Sequence, residues 1–531
     1  MIKSRRDFLR KIIGITVIFP IIQSCVQSTK KMLVLLTGTN HILGHRIWSK
    51  NFPKISETIE VKYLIIGGGI SGLSAARRLV NKDIKDFKLL ELESHVGGNS
   101  SNGENKYSKY PRGAHYLPLP NIEDKELINF LVEQKIIVGF DNGKPIFDEF
   151  QLSFPPQERL YYNGDWQEDL VPKKGISNEV QNEFIRFFGL MNDYRTKKDS
   201  LGKYYFDIPI IQSSSVEEVK LLDLVTMKEW LLEHNFHSEQ LHWYVNYSCC
   251  DDFGIGIDLV SAWAGIHYFA GRKQNSANNK MDNVLTWPEG NAHLAHLLAS
   301  FSSKNTIKNN IVYDVKWNDD KVEISSFNST SNQSIRYVVD KVIVATPQFI
   351  NQYLIEGRKE LTKAFNYAPW IVSAITISES LDNGSFPLAW DNVIYGGVGV
   401  GYVYNQNQNI NQQNDIKVIS YYLPFSNKDF KSGRRKLYSK SESYWTKCII
   451  EDISLAHPNI EEFILSIEIF RLGHGMISPV KGFIFSKEKL AAAKPIDNKI
   501  FFAHSDLSGI SIFEEAFHQG IRAADQMINF D

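Results

Sequence analysis

Two apolar runs flank a helix-like stretch near residue 70, and their order predicts a β-α-β unit. The first run, 61–66, is short and rich in β-branched residues, as in a buried strand. Leucine, alanine and valine then recur at helical spacing over 73–80, and a second apolar run covers 87–92. Because such a crossover joins parallel strands, the pattern predicts an α/β fold.

The rest of the chain alternates between helical and strand patterns without an internal repeat. Amphipathic helices are predicted at 176–196, 216–234 and 293–300. Strands are predicted at 311–317, 321–326, 338–345, 371–377 and 416–423, and the last pair is a strand at 500–503 with a helix at 513–528. A single hydrophobic core stops growing near ~250–300 residues. We therefore expect two domains in a chain of 531 residues.

A glycine-rich loop lies between the first strand and its helix. Residues 67–72 contain Gly-x-Gly-x-x-Gly, with Gly67, Gly69 and Gly72 at the glycine positions. The first glycine permits a tight turn, the second lets the backbone approach a pyrophosphate, and the third allows close packing of helix on sheet. Alone the hexamer is a weak signal, because glycine turns after strands are common.

The residues around the loop favour a dinucleotide. The helix that opens with Ile70 and Ser71 offers free N–H groups and a positive dipole end to phosphates. Glu91 follows about 20 residues later, at the end of the second strand, where an acid accepts hydrogen bonds from ribose hydroxyls. An acid there disfavours a 2′-phosphate. The loop, helix and acid together predict a dinucleotide site.

The residues after Glu91 distinguish FAD from NAD. Val96, Gly97 and Gly98 stand five to seven residues later, and here the chain resembles the flavin-containing amine oxidase superfamily. That superfamily includes protoporphyrinogen oxidases and phytoene desaturases, and its double glycine approaches the pyrophosphate and flavin side of FAD. The resemblance implies non-covalent FAD in a discontinuous, glutathione-reductase-type Rossmann domain, with an α+β substrate domain inserted.

Three later segments carry the same resemblance. Val312 matches the strand whose backbone frames the adenine, and 340–347 matches a strand that ends in Ala-Thr-Pro. The C-terminal match, over 501–524, is the most specific of the three. It implies that Asp506 bonds the ribityl chain. It also implies that the backbone N–H near Phe513, at a helix N-terminus, faces flavin N1 and O2.

Two departures from the family change the predicted chemistry. Asn99 stands where an arginine usually follows the double glycine. The stretch 368–374 lacks the lysine that bonds through water to flavin N5 in many amine oxidases. Simple amine oxidation with oxygen is therefore doubtful as the native reaction. We predict an FAD-dependent oxidoreductase that moves a hydride from a C–N or C–C bond to flavin N5 and passes electrons to an unidentified acceptor.

Two other functions stay open. One is a flavin-dependent desaturase or isomerase acting on an apolar substrate, and the other is a non-catalytic flavin-binding or electron-relay protein. A relay usually needs a second redox centre, and the sequence has no cysteine cluster or haem motif. An NAD enzyme with the same glycine loop is disfavoured by the C-terminal match.

Histidines and aromatic side chains are the candidates for contact with a small-molecule substrate. His115 follows the double glycine and is either an acid or base, or a hydrogen-bonded structural histidine. His474 precedes the final FAD strand, where amine oxidases place aromatic residues that face the flavin. Tyr116, Trp370 and Trp390 either line a substrate pocket or belong to ordinary core.

The stretch around residue 250 offers further candidates. Cys249 and Cys250 are expected to be core residues, with a vicinal redox disulfide as the alternative. Asp251 and Asp252 either line the substrate cavity or cap a helix. No metal-ligand spacing such as C-x-x-C occurs, so no metal site is predicted.

Charge and the N-terminus bear on partners and location. The 59 basic and 60 acidic side chains nearly cancel, which argues against a nucleic-acid partner. Residues 4–10 carry a twin-arginine pattern, and the apolar stretch 12–22 is shorter than the ~20 residues that span a membrane. It ends at Cys25 in a lipobox-like sequence with an unusual Gln23. We expect export to the periplasm by the twin-arginine machinery, with a lipid anchor on Cys25, or else an uncleaved N-terminal anchor.

The predicted layout combines these assignments. It consists of a signal peptide at 1–25, a lead-in at 26–58, an FAD-binding domain at 59–120, 284–350 and 495–531, and a substrate domain at 121–283 and 351–494.

Overall fold

The predicted signal peptide lies outside the residues that the structure describes. The computed structural model describes residues 32–273, 276–278, 283–379, 381–409, 415–425 and 429–530. Cys25 is therefore not placed. The chain from Leu33 onward forms one unit. None of the helices in the described ranges has the length and apolar character needed to span a membrane.

A five-stranded parallel sheet positions the glycine loop. In spatial order its strands are Thr306–Ile307, Phe87–Leu90, Tyr63–Ile66, Lys341–Val344 and Ile500–Phe502. The helices Ile70–Asn81 and Phe513–Asn529 pack on one face of this sheet, and a second sheet covers the other face. Burial on both faces explains why every residue of Tyr63–Ile66 is buried. The predicted β-α-β unit and the α/β fold class are confirmed.

The second sheet is mostly antiparallel. Its four strands are Asn310–Trp317, Val322–Asn328, Gln333–Val339 and Ile55–Glu60. The predicted strand 338–345 is in fact two strands in two sheets, which separate at Asp340. Apolar residues run through both strands, so the pattern does not show the break.

The largest sheet in the described chain has eight strands. In spatial order they are Leu33–Gly38, Ile464–Ile477, Tyr367–Ile377, Lys417–Pro424, Tyr402–Tyr404, Asp391–Ile394, Glu158–Tyr162 and Asp165–Glu168. Three two-stranded ribbons complete the β-structure of the described chain: Tyr116–Pro118 with Val284–Thr286, Asn102–Glu104 with Lys109–Pro111, and Ile137–Asp141 with Lys144–Phe147.

The segment 26–58, predicted as a lead-in, contributes to the fold. Leu33–Gly38 pairs in parallel with Ile464–Ile477, and Ile55–Glu60 pairs in parallel with Gln333–Val339. Both are edge strands that are held by backbone hydrogen bonds and are partly exposed. Ile55–Glu60 is mostly polar, whereas Leu33–Gly38 begins with four apolar residues that the prediction of a lead-in overlooked.

The α-helices connect and cover these sheets. Those described are His41–Ser49, Ile70–Asn81, Lys125–Glu133, Asn178–Thr196, Glu217–Leu221, Met227–Glu233, Glu239–Phe253, Ala262–Ala270, Ala292–Ala299, Gln348–Leu354, Lys359–Thr362, Phe430–Ser439, Glu442–Ile453, Lys487–Ala492 and Phe513–Asn529. The predicted helix 216–234 is two helices, because Thr226 starts a new one with a capping box to Glu229.

Candidate active site

The glycine loop has the geometry that a dinucleotide requires. Gly67 adopts a φ of 100°, which favours glycine. A Cβ on Gly72 would lie 1.9 Å from the carbonyl oxygen of Gly67, so helix and strand approach closely there. A Cβ on Gly69 would meet no atom within 4 Å, and Gly69 caps the helix of Ile70 and Ser71 without a side chain. Open space therefore faces helix N–H groups where a pyrophosphate is expected.

Glu91 is held at the end of its strand by two backbone donors. The N–H of Gly68 donates to Oε2 at 2.6 Å, and the N–H of Glu93 donates to Oε1 at 2.8 Å. The side chain is only 8% exposed, and burial raises the pKa of Glu91 to about 7. Donation from ribose hydroxyls would favour the charged form, so this arrangement fits a ribose.

The double glycine lies against the glycine loop. The N–H of Gly97 donates to the carbonyl of Gly68 at 2.8 Å, and Gly97 forms an isolated parallel bridge with Gly69. Asn99 follows, and its Nδ2 donates to the carbonyl of Gly475. Where the family usually has an arginine, this chain therefore has an amide that links the double glycine to the strand Ile464–Ile477.

Asp506 has a free acceptor in the protein interior. Its carboxylate is fully buried, and Oδ2 accepts from the N–H of Gln348 at 2.7 Å and from the hydroxyl of Tyr367 at 2.6 Å. Oδ1 has no hydrogen-bond partner among the described residues. His504 Nδ1 lies 3.2 Å from Oδ1 but itself accepts the N–H of Asp506. A buried acceptor without a donor fits the ribityl hydroxyl that the resemblance implies.

The C-terminal helix begins beside a cavity. Ile512 caps Phe513–Asn529 without a side-chain hydrogen bond, so the first N–H groups are free for a ligand. A Cβ on Gly520 would lie 2.2 Å from the carbonyl of Ser71, which shows how closely this helix packs on the dinucleotide helix. Val312, predicted to frame the adenine, is buried in the strand that starts at Asn310, whose N–H donates to the carbonyl of Glu91.

Two cavities adjoin these elements. The larger, of about 130 Å³, is called the flavin-side cavity because its lining includes Asn99, Phe513 and the neighbouring helix N-terminus. The smaller, of about 60 Å³, is called the acidic cavity because its lining includes Glu158, Asp251 and Asp391. Four residues line both cavities: His115, Tyr116, Asp251 and Tyr422. The two cavities are therefore adjacent and separated by these four side chains.

Four of the five predicted substrate or catalytic residues lie at these cavities. Trp370 lines the flavin-side cavity, Trp390 lines the acidic cavity, and Tyr116 and His115 line both. Burial lowers the pKa of His115 to about 3, so its imidazole is neutral at physiological pH. Their roles in catalysis or substrate contact stay predictions.

His474 is the exception, since it lines neither cavity. Its ring stacks on Phe349 with centroids 3.9 Å apart and meets the ring of Tyr367 edge-on. Burial, with a contribution from Arg434, lowers the pKa of His474 to about 3. The next two residues along the strand, Gly475 and Met476, line the flavin-side cavity instead.

The acidic cavity contains carboxylates that sequence reasoning missed or left ambiguous. Glu158 and Asp391 were not predicted, because nothing in the sequence links positions so far apart. Asp251 and Asp252 lie inside the last turn of Glu239–Phe253, so the helix-cap alternative is wrong. Cys249 and Cys250 are buried free cysteines, and the disulfide alternative is wrong as well.

Comparison with known proteins agrees with this fold. A profile described as NAD(P)-binding Rossmann-like domain matches residues 65–133. A flavin-containing amine oxidase from Danio rerio is 32% identical over 114 residues, which cover 20% of this chain and 22% of that protein. The chain thus aligns with about a fifth of the length of this curated relative.

Solved structures extend the likeness to most of the chain. Putrescine oxidase bound to putrescine covers 89% of this chain and 100% of its own, with a TM-score of 0.64 and 15% identity. A CLA-producing fatty acid isomerase from P. acnes covers 87% of this chain and 97% of its own, with a TM-score of 0.62 and 15% identity. The predicted resemblance to the flavin-dependent amine oxidases is supported, and at this identity the structures establish the fold.

Proposed function

We propose that the protein is an FAD-dependent oxidoreductase that oxidises a C–N bond of an amine. The acidic cavity is the observation that carries this proposal. Three of its lining residues are carboxylic acids, none is lysine or arginine, and its histidine is neutral. These acids favour a cationic substrate, because a nearby positive charge stabilises their ionised form, and an amine is cationic at neutral pH.

The backbone and side chains described above suit FAD. Gly69 leaves room for the pyrophosphate, Glu91 for the ribose and the free Oδ1 of Asp506 for the ribityl chain. The helix that starts at Phe513 directs its positive end towards the flavin-side cavity, where reduced flavin is negative. Bound flavin would supply the chemistry of accepting a hydride from the carbon next to nitrogen.

Residues of the chain would deprotonate the substrate ammonium and shield it from water. An ammonium must lose a proton before the neighbouring carbon releases a hydride, and Asp251 lines both cavities. Burial raises the pKa of Asp251 to about 7, with Asp252 and Glu158 adding to the effect. A carboxylate with a pKa near the working pH is well suited to take that proton. The rings of Tyr422 and Trp370 form walls that keep water away.

The fatty acid isomerase shows that this fold also accommodates another chemistry. The carboxylate of a fatty acid would find no lysine or arginine in the lining of the acidic cavity to compensate its charge. An amine is favoured for that reason. The acceptor of the electrons is proposed to differ from oxygen, because the strand Tyr367–Ile377 lacks the lysine that amine oxidases of this family place near flavin N5.

The test is a visible absorbance spectrum of the purified protein, repeated after anaerobic addition of amines and of unsaturated fatty acids. We expect flavin bands that bleach with an amine and persist with a fatty acid. Flavin released by denaturation should be FAD, as expected for non-covalent binding. Bleaching by no amine, or double-bond migration in a fatty acid, would contradict the proposal. Absence of flavin after reconstitution would contradict the cofactor.

Export is a separate part of the proposal and rests on the N-terminal sequence. The pattern at residues 4–10 and the lipobox-like Cys25 support twin-arginine export of a folded, flavin-loaded enzyme with a lipid anchor. Replacing Arg5 and Arg6 with lysine should retain the protein in the cytoplasm. Cys25→Ser should release it from membranes, and an unchanged membrane fraction would contradict lipidation.

A further inference from the structure

The first strand and the first helix of the described chain present large apolar side chains to the solvent. Leu33 and Leu35 on the strand are 69% and 52% exposed, and Ile42 and Trp48 on the helix are 76% and 59% exposed. We call these four side chains the N-terminal face. The chain has ten tryptophans, and the other nine are buried or half-buried. An exposed indole among exposed aliphatic side chains indicates a surface that a partner covers.

The helix that carries Ile42 and Trp48 is fixed to the fold by its other side. Leu43 and Ile47 are buried against the second sheet, beside the dinucleotide region. The ring of His45 stacks on that of Trp48 with centroids 4.0 Å apart, so the indole is held in place at the surface. The outward position of Ile42 and Trp48 is therefore a consequence of how the helix packs.

The charge of the same part of the chain suits an anionic surface. Acidic and basic side chains are balanced over the whole chain, but residues 26–56 contain no aspartate or glutamate. Lys50 is compensated by an ion pair with Asp314. A basic segment with exposed aromatic and aliphatic side chains is typical of a helix that lies in the interface of an anionic bilayer. The other basic residues of the segment are Lys30, Lys31, Arg46 and Lys54.

The position of Cys25 limits which surface can face a membrane. A lipid on Cys25 is part of the proposed export, and seven residues separate Cys25 from Leu33. An extended chain spans at most ~3.3–3.6 Å per residue, so the strand begins within about 29 Å of the lipidated cysteine. A lipid anchor would therefore keep the start of this strand close to the bilayer, and the N-terminal face begins there.

We propose that the N-terminal face is a membrane-docking surface that inserts Ile42 and Trp48 into the interface of an anionic bilayer. Tryptophan is enriched at such interfaces, because its ring is apolar and its N–H forms hydrogen bonds. The contact is weak and reversible, so it orients an anchored enzyme and does not replace the anchor. This inference rests on the exported location in the proposed function and is independent of amine oxidation.

Vesicle sedimentation measures the contact without the lipid anchor. The protein tested is the flavin-loaded chain from residue 26, since the chain from Leu33 onward forms one unit. One set of vesicles contains phosphatidylglycerol and phosphatidylcholine in equal amounts, and the other contains phosphatidylcholine alone. We expect binding to the mixed vesicles that weakens with added salt, and about tenfold weaker binding to the neutral vesicles.

Substitutions test the two apolar side chains of the helix. Ile42→Ser combined with Trp48→Ser should weaken binding to the mixed vesicles about tenfold or more, because less apolar area leaves the water. The matched control combines Ile185→Ser with Leu201→Ser, whose parent side chains are 70% and 83% exposed in another part of the chain. The control should bind within about twofold of the parent protein. Thermal unfolding checks that both double variants are folded.

Tryptophan fluorescence locates the contact. Brominated phosphatidylcholine quenches an indole that enters the bilayer, and Trp48 is the tryptophan that the surface presents. Quenching should accompany vesicle binding and disappear in Trp48→Phe. This variant keeps an aromatic ring, so it should still sediment with the mixed vesicles.

The outcomes separate this surface from the other proposals. Absence of binding to the mixed vesicles, equal binding to both kinds of vesicle, or quenching that persists in Trp48→Phe would overturn the membrane-docking surface. Self-association that depends on Trp48, without vesicle binding, would assign the face to a second copy of the chain and overturn it as well. Release of Cys25→Ser from cell membranes tests the anchor, and flavin bleaching tests amine oxidation, so failure of either is distinguishable from failure of this surface.

Discussion

The dinucleotide region and the acidic cavity are built in opposite ways. The first is assembled from one short segment, Gly67 to Glu91, and works through backbone N–H groups and the absence of side chains. The second is assembled from side chains at positions 158, 251 and 391, which only the folded chain brings together. A site built from the backbone of one segment can be recognised as a short sequence motif. A site built from side chains far apart in the sequence has no such motif.

Their electrostatics differ as well. Glu91 and Asp251 each have a pKa raised to about 7 by burial. Two backbone donors already hold Glu91, so it is prepared for a neutral hydroxyl. Asp251 has no donor among the described residues and lies near other acids, so it is prepared for a cation. Similar pKa values at the two acids are therefore compatible with the different ligands proposed for the two sites.

The largest loss of folded, flavin-binding protein should come from adding a side chain where the helix Ile70–Asn81 packs closely on the preceding loop. Gly72→Ala places a Cβ 1.9 Å from the carbonyl oxygen of Gly67, and neither backbone can move without opening the sheet. We expect loss of soluble, flavin-binding protein, measured by expression and absorbance. Gly189→Ala is the control, because its Cβ meets nothing and it lies within a helix. Normal flavin content in Gly72→Ala would contradict this account.

A substitution at Gly69 should weaken FAD binding without affecting the folding of the protein. Gly69→Ala adds a methyl group that meets no protein atom, and the backbone of Gly69, at φ −72° and ψ 179°, is open to alanine. The melting temperature of the apoprotein should stay unchanged while FAD affinity falls about 10- to 100-fold, because the methyl enters the pyrophosphate space. Unchanged affinity for FAD would mean that the phosphates bind elsewhere.

Replacement of Asp506, the proposed ligand of the ribityl chain, should have an intermediate effect on FAD affinity. Asp506→Asn keeps one acceptor for Gln348 and Tyr367 but turns the free oxygen into an N–H donor. FAD affinity is expected to fall about tenfold, about 1.4 kcal/mol, by fluorescence titration. Asp320→Asn, at an exposed position, serves as the matched control. Equal affinities of the two variants would exclude contact with the flavin chain.

The buried acids of the acidic cavity should make the free energy of unfolding depend on pH. Asp251 has a folded pKa of about 7, above its unfolded value of about 4, so its ionisation destabilises the fold as the pH rises between the two. Asp251→Asn imitates the protonated form. Its free energy of unfolding should match the parent near pH 3 and exceed it by about 4 kcal/mol at pH 8, because the two pKa values differ by about three units. A difference that does not change with pH would contradict the assigned pKa.

The smallest effect is expected at His474. Its ring lies against Phe349 and lines neither cavity, so His474→Gln should lower the rate of flavin reduction by less than about threefold. Stopped-flow reduction by an amine measures this rate, and thermal unfolding accounts for lost packing. A loss of 100-fold at unchanged stability would return His474 to the catalytic site.

Much of the fold was predictable because local patterns and tertiary packing agree. The apolar run before Gly67 and the helical spacing after it specify a buried parallel strand and its covering helix, and both are observed. The prediction failed at Leu33–Gly38 and Ile55–Glu60, which are edge strands held by backbone pairing. Ile55–Glu60 is short and mostly polar, and backbone hydrogen bonds carry no residue signature that would reveal it. The apolar run that opens Leu33–Gly38 was a strand signal that the prediction missed.

The sequence alone determined the parts whose chemistry is local. Glycine is needed wherever a Cβ would collide with backbone or phosphate, and the acid after the second strand is needed at a set distance from the loop. Only the tertiary structure decided which side chains share the acidic cavity, because their meeting depends on strand register and helix placement from position 158 to position 391. The tertiary structure likewise packs the ring of His474 against Phe349 and outside both cavities, while the next two residues, Gly475 and Met476, line the flavin-side cavity.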